Sequence, residues 1–129
     1  MELILNKVDI SNLKKAFLQL SNAIKIAKSD LERAGAIQCF EYNYELAWKT
    51  ARKILIALGK EAPNNPRMVF RDAAQNQLIH DPEVWFTFIE YRNKTAYIYN
   101  KDTALEIFSI LPKFRDELND FINRLEVLK

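Results

Sequence analysis

Apolar side chains along this chain recur at steps of three and four, which brings them to one face of an α-helix, and no stretch alternates as a half-buried strand would. Leu13, Phe17, Leu20, Ile24 and Ala27 form the first such stripe. Ser29-Asp30-Leu31-Glu32 reads as a capping box, in which the serine oxygen takes a free helical N–H and the glutamate reaches back, so a second helix opens there. It carries Ile37, Phe40, Tyr44, Ala47, Trp48, Ala51, Leu55 and Leu58 and stops at Gly59, a residue that accepts the left-handed backbone common after helix ends. This broad aromatic set predicts the central helix. Glu61 to Asn65 is a loop, and Asn65-Pro66 and His80-Asp81-Pro82 both set a capping residue before a proline whose missing donor costs nothing in a first turn. They open a short third helix with Val69, Phe70 and Ala73, and a fourth running through Val84, Trp85, Phe88, Ile89 and Ala96 toward Tyr99. Thr103-Ala104-Leu105-Glu106 is a further capping box, starting a last helix through Ile107, Phe108, Leu111, Leu118, Phe121, Leu125 and Leu128 that Pro112 should kink. The expected fold is all-α: an up-and-down four-helix bundle with a short accessory helix, forming one domain over residues 1–129.

Composition narrows the setting. Almost half the residues are apolar, enough for a packed core, and the net charge of +2 is too small for bulk-field binding of nucleic acid. The single cysteine, Cys39, cannot form an internal disulfide, which points to a reducing, cytoplasmic location. Met1 to Val8 lacks the apolar core of a signal peptide, and no apolar run is long enough to span a membrane. No metal site and no cofactor are expected.

The candidate chemistry is sparse. His80 stands alone and reads as a surface or capping residue, since one histidine cannot build a zinc site. Glu41 and Glu45 lie one helical turn apart; two carboxylates are too few for a metal, and pairing with Arg52, Lys49 or the arginines of the third helix accounts for them. Arg67 and Arg71 share a face and either grip a phosphate or close ion pairs with Glu41 or Glu45. The densest polar run is Arg92-Asn93-Lys94-Thr95-Ala96-Tyr97-Ile98-Tyr99-Asn100. Its arginine can neutralise a phosphate, its asparagine can read a base edge and its tyrosines can stack. Alternatively Arg92 is anchored in a buried network and the tyrosines are rim aromatics.

Three segments, Gly35 to Tyr42 continued by Glu45 to Lys49, Pro66 to Ala73, and Arg92 to Asn100, resemble the nucleotidyltransferase substrate-binding protein family of the HEPN superfamily. The resemblance implies a helical bundle that forms homodimers and that partners a small nucleotidyltransferase encoded nearby, in pairs several of which behave as toxin and antitoxin. It also implies a motif of arginine, polar residue, three further positions, histidine and, two places on, tyrosine. Here Arg92 and Asn93 match, Tyr97 stands in the histidine's place and Tyr99 falls on the tyrosine. In ribonuclease members the arginine and histidine act across a dimer cleft; a phenol with a free pKa of ~10 is a poor substitute for that base. Nor does the chain carry the Gly-Ser pair with paired aspartates of a nucleotidyltransferase catalytic domain. The leading expectation is therefore a non-catalytic partner subunit with Tyr99 as nucleotidyl acceptor and Arg67, Arg71 and Arg92 as nucleotide or phosphate ligands. A metal-independent RNA endonuclease built on Arg92, Asn93 and Tyr97, or a bare helical oligomerisation module, are the competing functions.

Overall fold

In the computed structural model, which describes residues 1–128, five α-helices account for most of the chain. They are α1 (Ser11–Ile26), α2 (Asp30–Ala57), α3 (Pro66–Gln75), α4 (Pro82–Lys94) and α5 (Lys101–Val127). α2, with 28 residues, and α5, with 27, are each about 40 Å long at 1.5 Å per residue, and α1 and α4 pack beside them. α2 touches all four other helices, as its broad apolar face requires. α3 is the accessory helix, wedged between α2 and α4.

The boundaries follow from capping. Ser29 and Glu32 form the complete capping box: the Ser29 hydroxyl accepts from Glu32 N–H (3.1 Å), and the Glu32 carboxylate accepts from Ser29 N–H (3.0 Å). Asn65 and Asp81 cap α3 and α4 just before Pro66 and Pro82. At the end of α2, Gly59 takes φ +82°, and Lys60 N–H and Gly59 N–H donate to Leu55 O and Ile56 O (both 2.9 Å), satisfying carbonyls the helix leaves over.

Several expectations need correction. A two-stranded antiparallel hairpin, β1 (Leu3–Ile4) and β2 (Val8–Asp9), precedes α1; its turn holds Leu5 and Asn6 at φ 56° and 58°. Lys14 binds Glu2 (2.9 Å) and Glu126 (3.0 Å), fastening the hairpin to α1 and α5. α1 ends before Ala27, and Leu58 is the exposed C-cap of α2 rather than a core residue. α4 does not reach Tyr99. It ends at Lys94, a single 3-10 turn covers Thr95–Tyr97, and Ala96 faces solvent. α5 starts two residues before Thr103, because Asn100 caps it by accepting from Thr103 N–H (3.1 Å). As expected, Pro112 lies within α5, on its solvent side, where the carbonyl it leaves unbonded can be hydrated.

The core is strongly aromatic. Phe114 of α5 meets Phe40 of α2 and Phe88 of α4 edge-on, with ring centroids 4.8 and 5.0 Å apart, and Trp85 joins this group to Phe70 of α3. One buried polar side chain belongs to the bundle's architecture. Asn43 donates to Ala16 O (3.0 Å) and Cys39 O (2.8 Å), bridging α1 and α2 with nearly no exposure.

Candidate functional site

Arg92 sits in the last turn of α4 and turns inward toward α2. Its guanidinium lies 3.9 Å from the Glu41 carboxylate and 3.7 Å from that of Glu45, and donates to Thr95 Oγ1 (3.2 Å), which itself donates to Arg92 O (2.6 Å). The carboxylate distances exceed hydrogen-bond length, and Arg92 Nε is buried without a bonded partner, so the attraction is coulombic. Glu45 also accepts from Trp48 Nε1 (3.0 Å) and faces Lys49 (3.8 Å). The two glutamates therefore pair with Arg92 and Lys49, while Arg52 instead donates to Ala62 O (2.9 Å). Beside this group Tyr44 is buried, and burial, reinforced by the Glu45 charge, pushes its phenol up to about 12.

The other arginines are elsewhere. Arg67 stacks on the Phe86 ring (4.3 Å to its centre) and Arg71 lies 3.5 Å from Asp72; neither reaches Glu41 or Glu45. Asn93 is exposed on α4, and His80 is exposed before the Asp81 cap. Cys39 is half-buried, and burial pushes its thiol up, the opposite of an activated nucleophile. Among the described residues no three His, Cys, Asp or Glu side chains converge as metal ligands, and no helix is long and apolar enough to cross a membrane.

Tyr97 and Tyr99 occupy the connection between α4 and α5. Their rings meet edge-to-face with centroids 6.3 Å apart, and Asn100 N–H closes the turn on Tyr97 O (3.0 Å). Because α4 unwinds at Lys94, Tyr99 does not share a helical face with Arg92, which it would do if the helix ran on to residue 99. Tyr99 is 84% exposed and borders a cavity of about 150 Å³ between the first turns of α2 and α5. Arg33, Lys101 and Asp30 also line it, with Arg33 2.6 Å and Lys101 3.8 Å from the Asp30 carboxylate. Reading the sequence did not single out this trio, because α2 and α5 bring it together from distant segments.

Known proteins resemble the chain over most of its length. A protein of known structure from Thermus thermophilus superposes with a TM-score of 0.82 at 28% identity, covering 88% of this chain and 98% of that one. A Haemophilus influenzae protein, described as having the fold of a substrate binding domain of a nucleotidyltransferase, superposes with a TM-score of 0.81 at 25% identity, covering 92% and 99%. A curated Haemophilus influenzae relative, named probable ribonuclease HepT, is 28% identical over 99 residues. That match takes in 71% of this chain and 66% of the relative, so the chain spans about two thirds of its length. The sequence profile of the family described as nucleotidyltransferase substrate binding protein like matches residues 8–127, and the chain belongs to that family.

Proposed function

We propose that the chain acts as one helical domain and a non-catalytic subunit, binding a small nucleotidyltransferase encoded nearby and presenting Tyr99 to it as the acceptor of a nucleotidyl group. The observation that carries this reading is the exposure of Tyr99, a phenol standing free of the core beside two cationic side chains. Family membership over nearly the whole chain supports a nucleotidyltransferase partner. In the transfer the phenolic oxygen bonds to the α-phosphorus of ATP, the bond from that phosphorus to the bridging oxygen breaks, and pyrophosphate leaves. The phenolic proton passes to a base on the partner. The partner is proposed to form with this chain a toxin-antitoxin-like pair, and the chain itself to be a cytoplasmic homodimer; light scattering checks the dimer, which a monomeric mass at micromolar concentration would exclude.

Intact mass after incubation with the cognate enzyme, magnesium and ATP is expected to rise by one or more adenylyl units, and Tyr99→Phe to abolish the rise. Labelling that persists in Tyr99→Phe, or no labelling by an enzyme that binds the chain, refutes the acceptor role.

The name of the Haemophilus relative favours a second reading, ribonuclease action through Arg92, Asn93 and Tyr97. Two features of this chain oppose it. Tyr97 replaces the proton-transfer histidine, and Arg92 faces Glu41 and Glu45, which offset the charge it would bring to a phosphate. The purified chain is expected to leave single-stranded and structured RNA intact. Metal-independent cleavage that vanishes in Arg92→Ala would reverse the ranking. Arg67 and Arg71 lie on α3, apart from Tyr99, and are proposed only as contacts for the phosphates of a larger ligand.

A further inference from the structure

The cavity beside Tyr99 has an unbalanced lining. Arg33 and Lys101 supply two positive charges and Asp30 one negative, so one positive charge is left over among the lining groups. The two cations are held unequally. Arg33 is largely covered and bonds Asp30 at 2.6 Å, with a second, longer bond to Lys28 O (3.3 Å). Lys101 is 70% exposed and stands 3.8 Å from Asp30, beyond hydrogen-bond distance. Asp30 responds to both: its carboxyl is held below the ordinary carboxylate value by the Arg33 bond first and by the Lys101 charge second. An anion is already stabilised here, with donors to spare. At ~30 Å³ per water molecule, about 150 Å³ has room for on the order of five waters, comparable to the five heavy atoms of a phosphate.

Resting on the acceptor reading above, we propose that this cavity is the seat of the nucleotidyl group after transfer: the diester phosphate on Tyr99 binds between Arg33 and Lys101, alongside Asp30. The diester carries a single negative charge, which cancels the excess. Arg33 can offer its fork of N–H donors and Lys101 can leave its long contact with Asp30 for a shorter one to phosphate oxygen. The consequence is regulatory. The turn that carries Tyr99 becomes cross-linked to the first turn of α2 by charge-assisted bonds. Modification then stiffens the connection that carries Tyr97 and Tyr99, beyond merely adding bulk to one side chain.

The test compares thermal melting of labelled and unlabelled protein, each variant against its own unlabelled form, with labelling measured by intact mass. Wild type labelled by its cognate enzyme with magnesium and ATP is expected to melt a few degrees higher than unlabelled wild type. Arg33→Gln and Lys101→Gln are expected to be labelled yet to lose that rise, whereas Asp30→Asn, which removes the competing anion, keeps it. The phosphorus NMR resonance of the attached group should likewise differ between labelled wild type and labelled Arg33→Gln. Labelled wild type that melts with the unlabelled protein, or an undiminished rise in both Gln variants, overturns the seat and leaves the acceptor role intact. Wild type that is bound by the enzyme but never labelled overturns both.

Discussion

If Glu41 and Glu45 hold Arg92 away from ligands, removing their charges should make Arg92 available, and the double change Glu41→Gln/Glu45→Gln does this with little loss of shape. Glutamine keeps an oxygen for the Trp48 Nε1 bond now made by Glu45 at 3.0 Å. At 3.7–3.9 Å and an effective dielectric near 20, each carboxylate attracts the guanidinium by roughly 4 kcal/mol. All three side chains are about one-third exposed, however, and pairs so placed typically contribute only ~0.2–1 kcal/mol once hydration and side-chain entropy are counted. The two together therefore restrain Arg92 by about 0.4–2 kcal/mol. A phosphate that binds Arg92 must overcome that restraint in the wild type and not in the double variant. Affinity for a fluorescent single-stranded RNA, measured by anisotropy at low ionic strength, should thus rise about 2–30-fold in the variant. The gain should shrink as salt is added, because it is electrostatic. Stability should fall by no more than about 1 kcal/mol per substitution. The reasoning fails if wild type already binds this RNA through Arg92, shown by weakened binding in Arg92→Ala, while the double variant gains nothing. Arg92 would then be a free phosphate ligand.

Phe114→Ala, which empties the space between the rings of Phe40 and Phe88, should cost about 3–5 kcal/mol and lower the melting temperature by roughly 10–20 °C in a calorimetric scan. Tyr44, raised by burial to about 12 from a free value of ~10, contributes stability that is complete below pH 10 and is lost as pH rises toward 12, on the order of 3 kcal/mol. Denaturant unfolding across that range should show a smaller loss in Tyr44→Phe than in wild type, since the phenylalanine ring keeps its place between Phe40 and Phe70. On the acid side, Asp9 is lowered chiefly by the Ser11 N–H bond and Glu32 chiefly by the Lys28 N–H bond, so their contributions are present above pH ~4 and fade as pH falls through the lowered values. Melts between pH 5 and 2 should therefore slope less steeply in Asp9→Asn and Glu32→Gln.

What could be read from the sequence was what local chemistry decides. The Ser29–Glu32 box and the Asn65-Pro66 and Asp81-Pro82 starts depend on residues within one turn, and all three open helices where the pattern places them. The start of α5 shows the limit of such patterns. Asn100-x-x-Thr103 and Thr103-x-x-Glu106 both satisfy capping logic, and the choice falls to the turn closed by Asn100 N–H on Tyr97 O, which no local spacing encodes. The hairpin was invisible for a related reason: strands of two residues have no period to detect, and Ile4 and Val8 are buried by packing under the bundle. At the site, the pairing of Glu41 and Glu45 with Arg92 joins α2 to α4 across tertiary distance. The sequence offered Arg52, Lys49 and the α3 arginines as partners, and only Lys49, one turn from Glu45, was correct. Arg33 and Lys101 share the carboxylate of Asp30 only because α2 and α5 begin side by side.

The unwinding of α4 at Lys94 gives the motif region two separate environments. A helix continued to Tyr99 would stack Arg92 and Tyr99 on one face, seven residues apart, and make them natural partners for one phosphate. Instead Thr95 bonds back to Arg92 O, the chain tightens into a 3-10 turn, and the two tyrosines leave the helix axis. Arg92 stays with the carboxylates of α2, beside a phenol that burial keeps protonated, in surroundings suited to holding a fixed charge. Tyr99 stands in solvent at the mouth of a cavity whose cations come from α2 and α5. Cleaving RNA through this motif would require its arginine and its proton-transfer residue to converge on one phosphate. In this chain the arginine faces two carboxylates that offset its charge, and the proton-transfer position holds a tyrosine packed against Tyr99. Receiving a group requires only an accessible nucleophilic oxygen, which Tyr99 offers, and the cations beside it are placed to hold the phosphate once it has arrived.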